Sequence, residues 1–184
     1  MGSDVSGIRD LLRKRCWNVT FSRQLAQEIA GDKAALRALV REIFSEDVAV
    51  RKRAADVARR ITERDAASLE RYADELAGLL ESLPIGEAQT RWHLALVVAR
   101  TAHTRARRLR AARIMSLLAE NESNAVCASA VEGLVTLALV EPSLRPEAEA
   151  LVERFLWNGT PAMKARARLA QNRFNNIEQT VIFP

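Results

Sequence analysis

Glycine, proline and aromatic residues are all scarce in this chain: seven Gly, five Pro and 5% Phe, Trp and Tyr in 184 residues. That scarcity excludes the frequent turns and aromatic cross-strand pairs of a β-sandwich or barrel. Its two cysteines, Cys16 and Cys127, stand far apart in no CxxC or Cys/His spacing. They exclude a disulfide framework and a zinc site, and both are expected to be buried free thiols. The two histidines, His93 and His103, miss the i, i+4 spacing of a metal-binding helix, and no Gly-rich phosphate loop, GxSxG or DxDxDG run occurs. No metal, cofactor or catalytic set is expected, and the chain reads as a non-enzyme. No apolar run approaches the roughly 20 residues that span a bilayer. The first dozen residues carry Asp4, Arg9 and Asp10 where a signal peptide needs an apolar core. No membrane partner is expected, and the expected compartment is the cytoplasm.

What the chain has is helix-forming residues and charge. Apolar residues make up 48%, 28% are charged, and the balance suits Ala- and Leu-rich helices. The expected class is all-α. The net charge of +5 is unevenly placed. Residues 1–87 hold as many acids as bases, so the whole excess lies beyond them. No acidic residue falls between Ala88 and Ala119, whereas Arg91, Arg100, Arg105, Arg107, Arg108, Arg110 and Arg113 do. Of these, Arg105, Arg107, Arg108, Arg110 and Arg113 form the candidate contact for an anionic partner such as nucleic acid.

One pattern recurs four times: a helix-capping residue followed four positions later by a basic or polar one. It reads Asp47-Arg51, Glu87-Arg91, Ser123-Cys127 and Thr160-Lys164. The interval is roughly 36–40 residues, which is the signature of stacked helical repeats. Each unit reads as a helix pair, a first helix A and a second helix B opening at the cap. Helix A presents Leu36, Leu39, Val40, Ile43 and Phe44 on one face, and Leu76, Leu79, Leu80 and Leu83 repeat that stripe. Helix B carries Val50, Ala54, Val57 and Ile61, repeated as Thr90, Leu94, Val97 and Thr101, then Val126, Ala130, Gly133 and Leu137, then Met163, Ala167, Ala170 and Phe174. The units are placed at 33–62, 67–103, 105–139 and 144–174, after a degenerate N-terminal pair at 4–30 and before a tail at 175–184. All belong to a single domain, 1–184.

A second B-helix stripe marks the end of the array. Ala55 and Ala58, Ala95 and Val98, then Val131 and Leu134 are apolar, but their last counterparts are Arg168 and Gln171. A polar outer face is what a terminal repeat needs. Thr180-Val181-Ile182-Phe183 is placed to fold back over part of it, and Trp17 and Trp157 are assigned to cap and inter-repeat packing. The capping residues accept from the exposed N–H groups that open helix B. Arg51 and Arg91, one turn later, are placed to pair within the repeat or with the next repeat's cap.

With Asp47, Val50-Arg51 and Ala54-Ala55 repeated as Glu87, Thr90-Arg91 and Leu94-Ala95, residues 33–174 resemble the HEAT repeats, including the HEAT-like repeats named after phycobilisome lyases. Cys127 and Lys164 depart from the pattern's Arg, and helix A lacks the Pro of many HEAT units. The resemblance implies a right-handed α-solenoid (α-α superhelix) of about four to five helix pairs, with helix B on the concave side. It also implies an adaptor that binds a protein or acidic peptide there.

On that surface the candidate residues are Arg53, Asp56, Arg60, Trp92, His93, Arg100 and Arg166, an aromatic platform between cationic walls. The competing reading of Trp92 and His93 is burial, because the helix at 88–100 is apolar almost all round. A third reading follows the HEAT-like alkylpurine DNA glycosylases, with Asp56, Trp92 and Arg100 imitating their acid and aromatic groove. No motif carries that match.

Overall fold

The computed structural model describes the backbone of residues 5–120 and 123–182 and the side chains of 7–120 and 123–176. Among the described residues the chain is all helical, with ten α-helices and two 3-10 segments. In chain order the helices are α1 (Val5–Leu12), α2 (Val19–Ile29), α3 (Lys33–Ile43), α4 (Val48–Arg64), α5 (Ala73–Ser82), α6 (Ala88–Thr101), α7 (Arg105–Leu118), α8 (Asn124–Ala138), α9 (Arg145–Asn158) and α10 (Pro161–Ile182). A 3-10 segment, Ala66–Tyr72, precedes α5, and another, Pro142–Leu144, precedes α9.

Short polar side chains start five of these ten helices by accepting from N–H groups the helix itself cannot satisfy. Asn18 accepts from the Phe21 N–H at 2.8 Å to open α2, and Asp32 from those of Ala34 and Ala35 at 2.8 and 3.1 Å to open α3. Asp47 does the same for α4 through Ala49 and Val50, at 3.1 and 3.3 Å. Thr104 opens α7 and Thr160 opens α10, accepting from Arg107 and Met163 at 3.3 and 3.4 Å. Glu87 corrects the pattern: it makes no capping hydrogen bond. Its longer side chain turns away instead, so that its carboxylate pairs with Arg51 of α4 and accepts from the Thr90 hydroxyl at 3.3 Å.

Two rows of helices follow from which faces are apolar. In the row of second helices, α2 packs on α4, α4 on α6, α6 on α8 and α8 on α10. The first helices α3, α5, α7 and α9 each pack against the second helix that follows, and α1 packs on α3 and α4. The 3-10 segment Ala66–Tyr72 bridges α3 and α5, and α5 packs on α7. Between the rows lies one continuous core, in which Ala54, Ala55, Val57, Leu94, Ala95, Val97, Ala130, Val131 and Leu134 are fully buried. Small residues let the second helices approach closely. A Cβ on Gly133 of α8 would stand 2.6 Å from the Met115 Sδ and 3.3 Å from the Ala99 Cβ.

At the end of the row the outward stripe turns polar: Arg168 and Gln171 of α10 are exposed. α10 runs on to Ile182, so the segment read from the sequence as a tail is helical that far. The fold-back of Thr180–Phe183 over the end face lies outside the described side chains. Two local expectations fail. Trp157 is 74% exposed rather than packed, because it falls at the end of α9 off the apolar stripe of Ala148, Leu151, Val152 and Phe155. Cys16 is exposed, because it sits in the link between α1 and α2; Cys127 is buried in α8. Trp17 does pack, edge-on to Phe21 with ring centroids 5.4 Å apart.

Candidate functional site

The face of the second helices left over by both apolar stripes carries a connected set of charged and aromatic side chains. At its centre Asp56 of α4 is buried, and each carboxylate oxygen is held. Oδ1 accepts from Arg59 Nη2 at 3.1 Å; Oδ2 accepts from the Ser22 hydroxyl of α2 at 2.5 Å and from Arg60 Nε at 3.3 Å. Arg60 Nε also donates to Ser22 Oγ at 3.0 Å. Burial acts to raise the Asp56 pKa, but the Ser22 hydrogen bond and the guanidinium groups of Arg60 and Arg59 outweigh it and hold the carboxyl below its usual range. Asp56 therefore stays ionised and acts as the anchor that ties α2 to α4.

His93 of α6 lies against this anchor, its Nδ1 3.6 Å from Asp56 Oδ1, too far for a hydrogen bond. Burial pushes its pKa down to about 4; the Asp56 charge opposes this, while Arg59, Arg60 and Lys52 add to it. The imidazole is neutral at neutral pH. Its Nδ1 has no hydrogen-bond partner among the described residues. Trp92 stacks on it with ring centroids 3.7 Å apart, and the Arg59 guanidinium lies over the indole at 5.3 Å. Both sequence readings of this pair thus contain part of the arrangement: His93 is buried, whereas Trp92 keeps a half-buried face beside Arg59.

The charged set runs on along the row. Arg100 of α6 donates to the Arg59 carbonyl at 3.0 Å and to Glu132 Oε1 of α8 at 3.3 Å. Glu132 Oε2 in turn pairs with Arg166 of α10 at 3.0 Å. Arg173 of α10 donates to the Thr136 hydroxyl at 3.1 Å. Arg53, also on α4, points the other way, donating to the Leu12 and Lys14 carbonyls at 2.6 and 3.1 Å and stacking over Trp17. Six of the seven predicted groove residues are therefore brought together, and Arg53 is used to fasten the link after α1. Glu132 and Arg59, absent from the candidates read from the sequence, are the ones that join the rest. Glu132 acts across the contacts of α8 with α6 and α10, which no spacing within a helix marks. Arg59 pairs with Asp56 and Glu63 at helical spacing, but its place over Trp92 depends on α6.

The Arg-rich segment behaves differently from its sequence appearance. Arg107 pairs with Asp74 of α5 at 2.7 Å, Arg110 with Glu81 at 2.5 Å and Arg108 with Glu141 at 3.3 Å; Arg105 lies 3.6 Å from Glu141. The hydrogen bond from Ser143, with Arg108 and Arg105, keeps the Glu141 carboxyl below its usual range. Acids brought from α5 and from the turn before α9 meet four of the five arginines of α7. Arg113 alone of the five has no ion pair among the described residues. The second-helix face carries the larger excess, with Lys52, Arg59, Arg60, Arg100, Arg166 and Arg173 sharing Asp56, Glu63 and Glu132.

The Ser22 hydroxyl donates to a carboxylate and has no imidazole to deprotonate it, so Ser22, Asp56 and His93 do not form a nucleophile–base pair. No family model matches the sequence, and no curated protein is significantly similar to it. No described helix is long and apolar enough to cross a membrane.

Proposed function

We propose that this chain is a small HEAT-like, right-handed α-solenoid that serves as an adaptor, holding an acidic protein segment against its row of second helices. The row α2, α4, α6, α8, α10 supports the repeat reading, since among the described residues the main contacts of each unit are with its neighbours. One observation carries the choice of ligand: the larger positive excess lies on the second-helix face, around Trp92, and not on α7. Arg59 stacked on Trp92 provides a desolvated aromatic and cationic anchor, the type of residue pair that dominates interface energy. Arg166 and Arg173 provide an exposed rim that favours association with an anion and gives it a salt dependence. The reading assigns no catalysis, and places the chain in the cytoplasm.

The test uses a fluorescent oligo-glutamate peptide of ten residues and its oligo-lysine counterpart, with anisotropy as readout. The acidic peptide binds and the basic one does not. Arg166→Gln with Arg173→Gln abolishes the binding while helical content and melting hold, because both side chains are exposed and neither change sets a second carboxylate against Glu132. Binding by the double variant equal to that of the parent overturns the assignment of the face. Arg100 is unsuitable for this purpose, since its replacement would free the Arg59 carbonyl.

A further inference from the structure

Beside the anchor, between α2 and the last turns of α4, lies a cavity of about 510 Å³ that the adaptor reading does not use. Four arginines line it: Arg23 from α2, and Arg59, Arg60 and Arg64 from α4. Their charge is unevenly met. Arg59 and Arg60 share the single carboxylate of Asp56, with Glu63 3.6 Å from Arg59. Arg23 and Arg64 have no ion pair among the described residues; Arg64 is met only by the Gln27 amide oxygen, at 3.2 and 3.1 Å when that amide faces it. Glu63 and Asp65 also line it; Asp65 accepts from the Ala67 N–H at 3.1 Å and from the Ser68 hydroxyl, neutral donors that leave its charge in place. Arg59 Nε is buried and has no hydrogen-bond partner. A buried, unpaired guanidinium N–H is costly unless something else accepts from it.

We infer that this cavity is a binding site for a phosphoryl group. Four guanidinium groups against the carboxylates of Asp56, Glu63 and Asp65 leave one positive charge over, and the planar forks of Arg23 and Arg64, free of ion pairs among the described residues, meet phosphoryl oxygens two at a time. The carbonyl ends of α2 and α4 oppose an anion here by roughly half a charge each. That offsets the net charge, so the attraction rests on the donors of Arg23 and Arg64 and on the unpartnered Arg59 Nε. A phosphodiester fits less well, because each of its phosphates carries one charge and leaves only two oxygens free to accept. The shared chemistry is that of a phosphate monoester dianion, either free inorganic phosphate or a phosphorylated side chain.

Calorimetric titration of the full chain at constant ionic strength tests this, with four probes: inorganic phosphate, a phosphoserine peptide, its unphosphorylated twin and a single-stranded oligonucleotide. Inorganic phosphate and the phosphopeptide bind saturably and compete, and the twin does not. Arg23→Ala with Arg64→Ala weakens both by at least about ten-fold, as loss of charge-assisted bonds requires. Arg37→Ala, an exposed arginine on α3, changes neither. A phosphopeptide much tighter than phosphate assigns the site to a modified side chain; equal affinities assign it to the free anion. No saturable binding of either probe overturns the inference, as does equal weakening in Arg37→Ala. Tighter binding of the oligonucleotide that is lost in the same double variant also overturns it. The oligo-glutamate assay reads Arg166 and Arg173 at the far end of the row, so either conclusion can fail while the other stands.

Discussion

At the scale of single residues, the buried His93 has the clearest consequence. Its folded pKa of about 4 lies below the ordinary 6.5, so between these values the unfolded chain binds a proton that the folded chain does not. Stability is therefore full above about pH 6.5 and falls as the pH drops towards 4, by up to ~3 kcal/mol. Urea midpoints measured from pH 7 to pH 4 are expected to fall, and His93→Gln is expected to flatten the slope within that window. A slope unchanged in the variant would place the titration elsewhere. Gly133 is decided by packing: Val there meets the Met115 side chain and the Ala99 Cβ in a buried core, and Met115 must shift to admit it. A loss of about 1–3 kcal/mol is expected. Trp157→Ser, at a side chain 74% exposed, is expected to stay within ~0.5 kcal/mol of the parent in chemical denaturation.

At the scale of elements, the recurring cap-to-base pattern contains two different devices. Asp47 caps α4 and meets Arg13 only at an exposed 3.5 Å contact. Asp47→Ala is expected to cost ~1 kcal/mol, the usual worth of a cap. Glu87 does not cap; it neutralises Arg51, whose side chain, like that of Glu87, is largely buried between α4 and α6. Glu87→Ala leaves that guanidinium buried without its carboxylate, and the expected cost is larger, about 3 kcal/mol. Thermal unfolding of the two variants side by side checks the order, and a milder effect for Glu87 would refute the distinction. The capping role was legible in the sequence for Asp47 and Thr160, where a short side chain stands just before a helical stripe. It was not legible that Glu87 would differ, because only the approach of α4 to α6 offers its longer side chain a charged partner.

At the scale of the whole molecule, the row of second helices sets the gradient of stability. α6 is packed on α4 and α8 and is covered by α5 and α7, whereas α1 has its main contacts, among the described residues, with α3 and α4 alone. Amide exchange is expected to be slowest in α6 and α8 and fastest in α1, since local opening is easiest where fewest neighbours are lost. Uniform protection along the chain would argue for one indivisible cooperative unit. By itself the sequence determined that the chain is helical, where most helices start and which stripes are buried, because capping and 3.6-residue periodicity are local properties. It also placed Asp56, Trp92, Arg100 and Arg166 on one face, by subtracting the apolar stripes. Only the tertiary structure decided where charge remains uncompensated. α7 reads as a block of free arginines until Asp74, Glu81 and Glu141 are brought against it, while Arg23 and Arg64 read as ordinary surface residues until α2 and α4 enclose a cavity between them. Coulomb interactions depend on distance in space and not along the chain, and folding is what sets that distance.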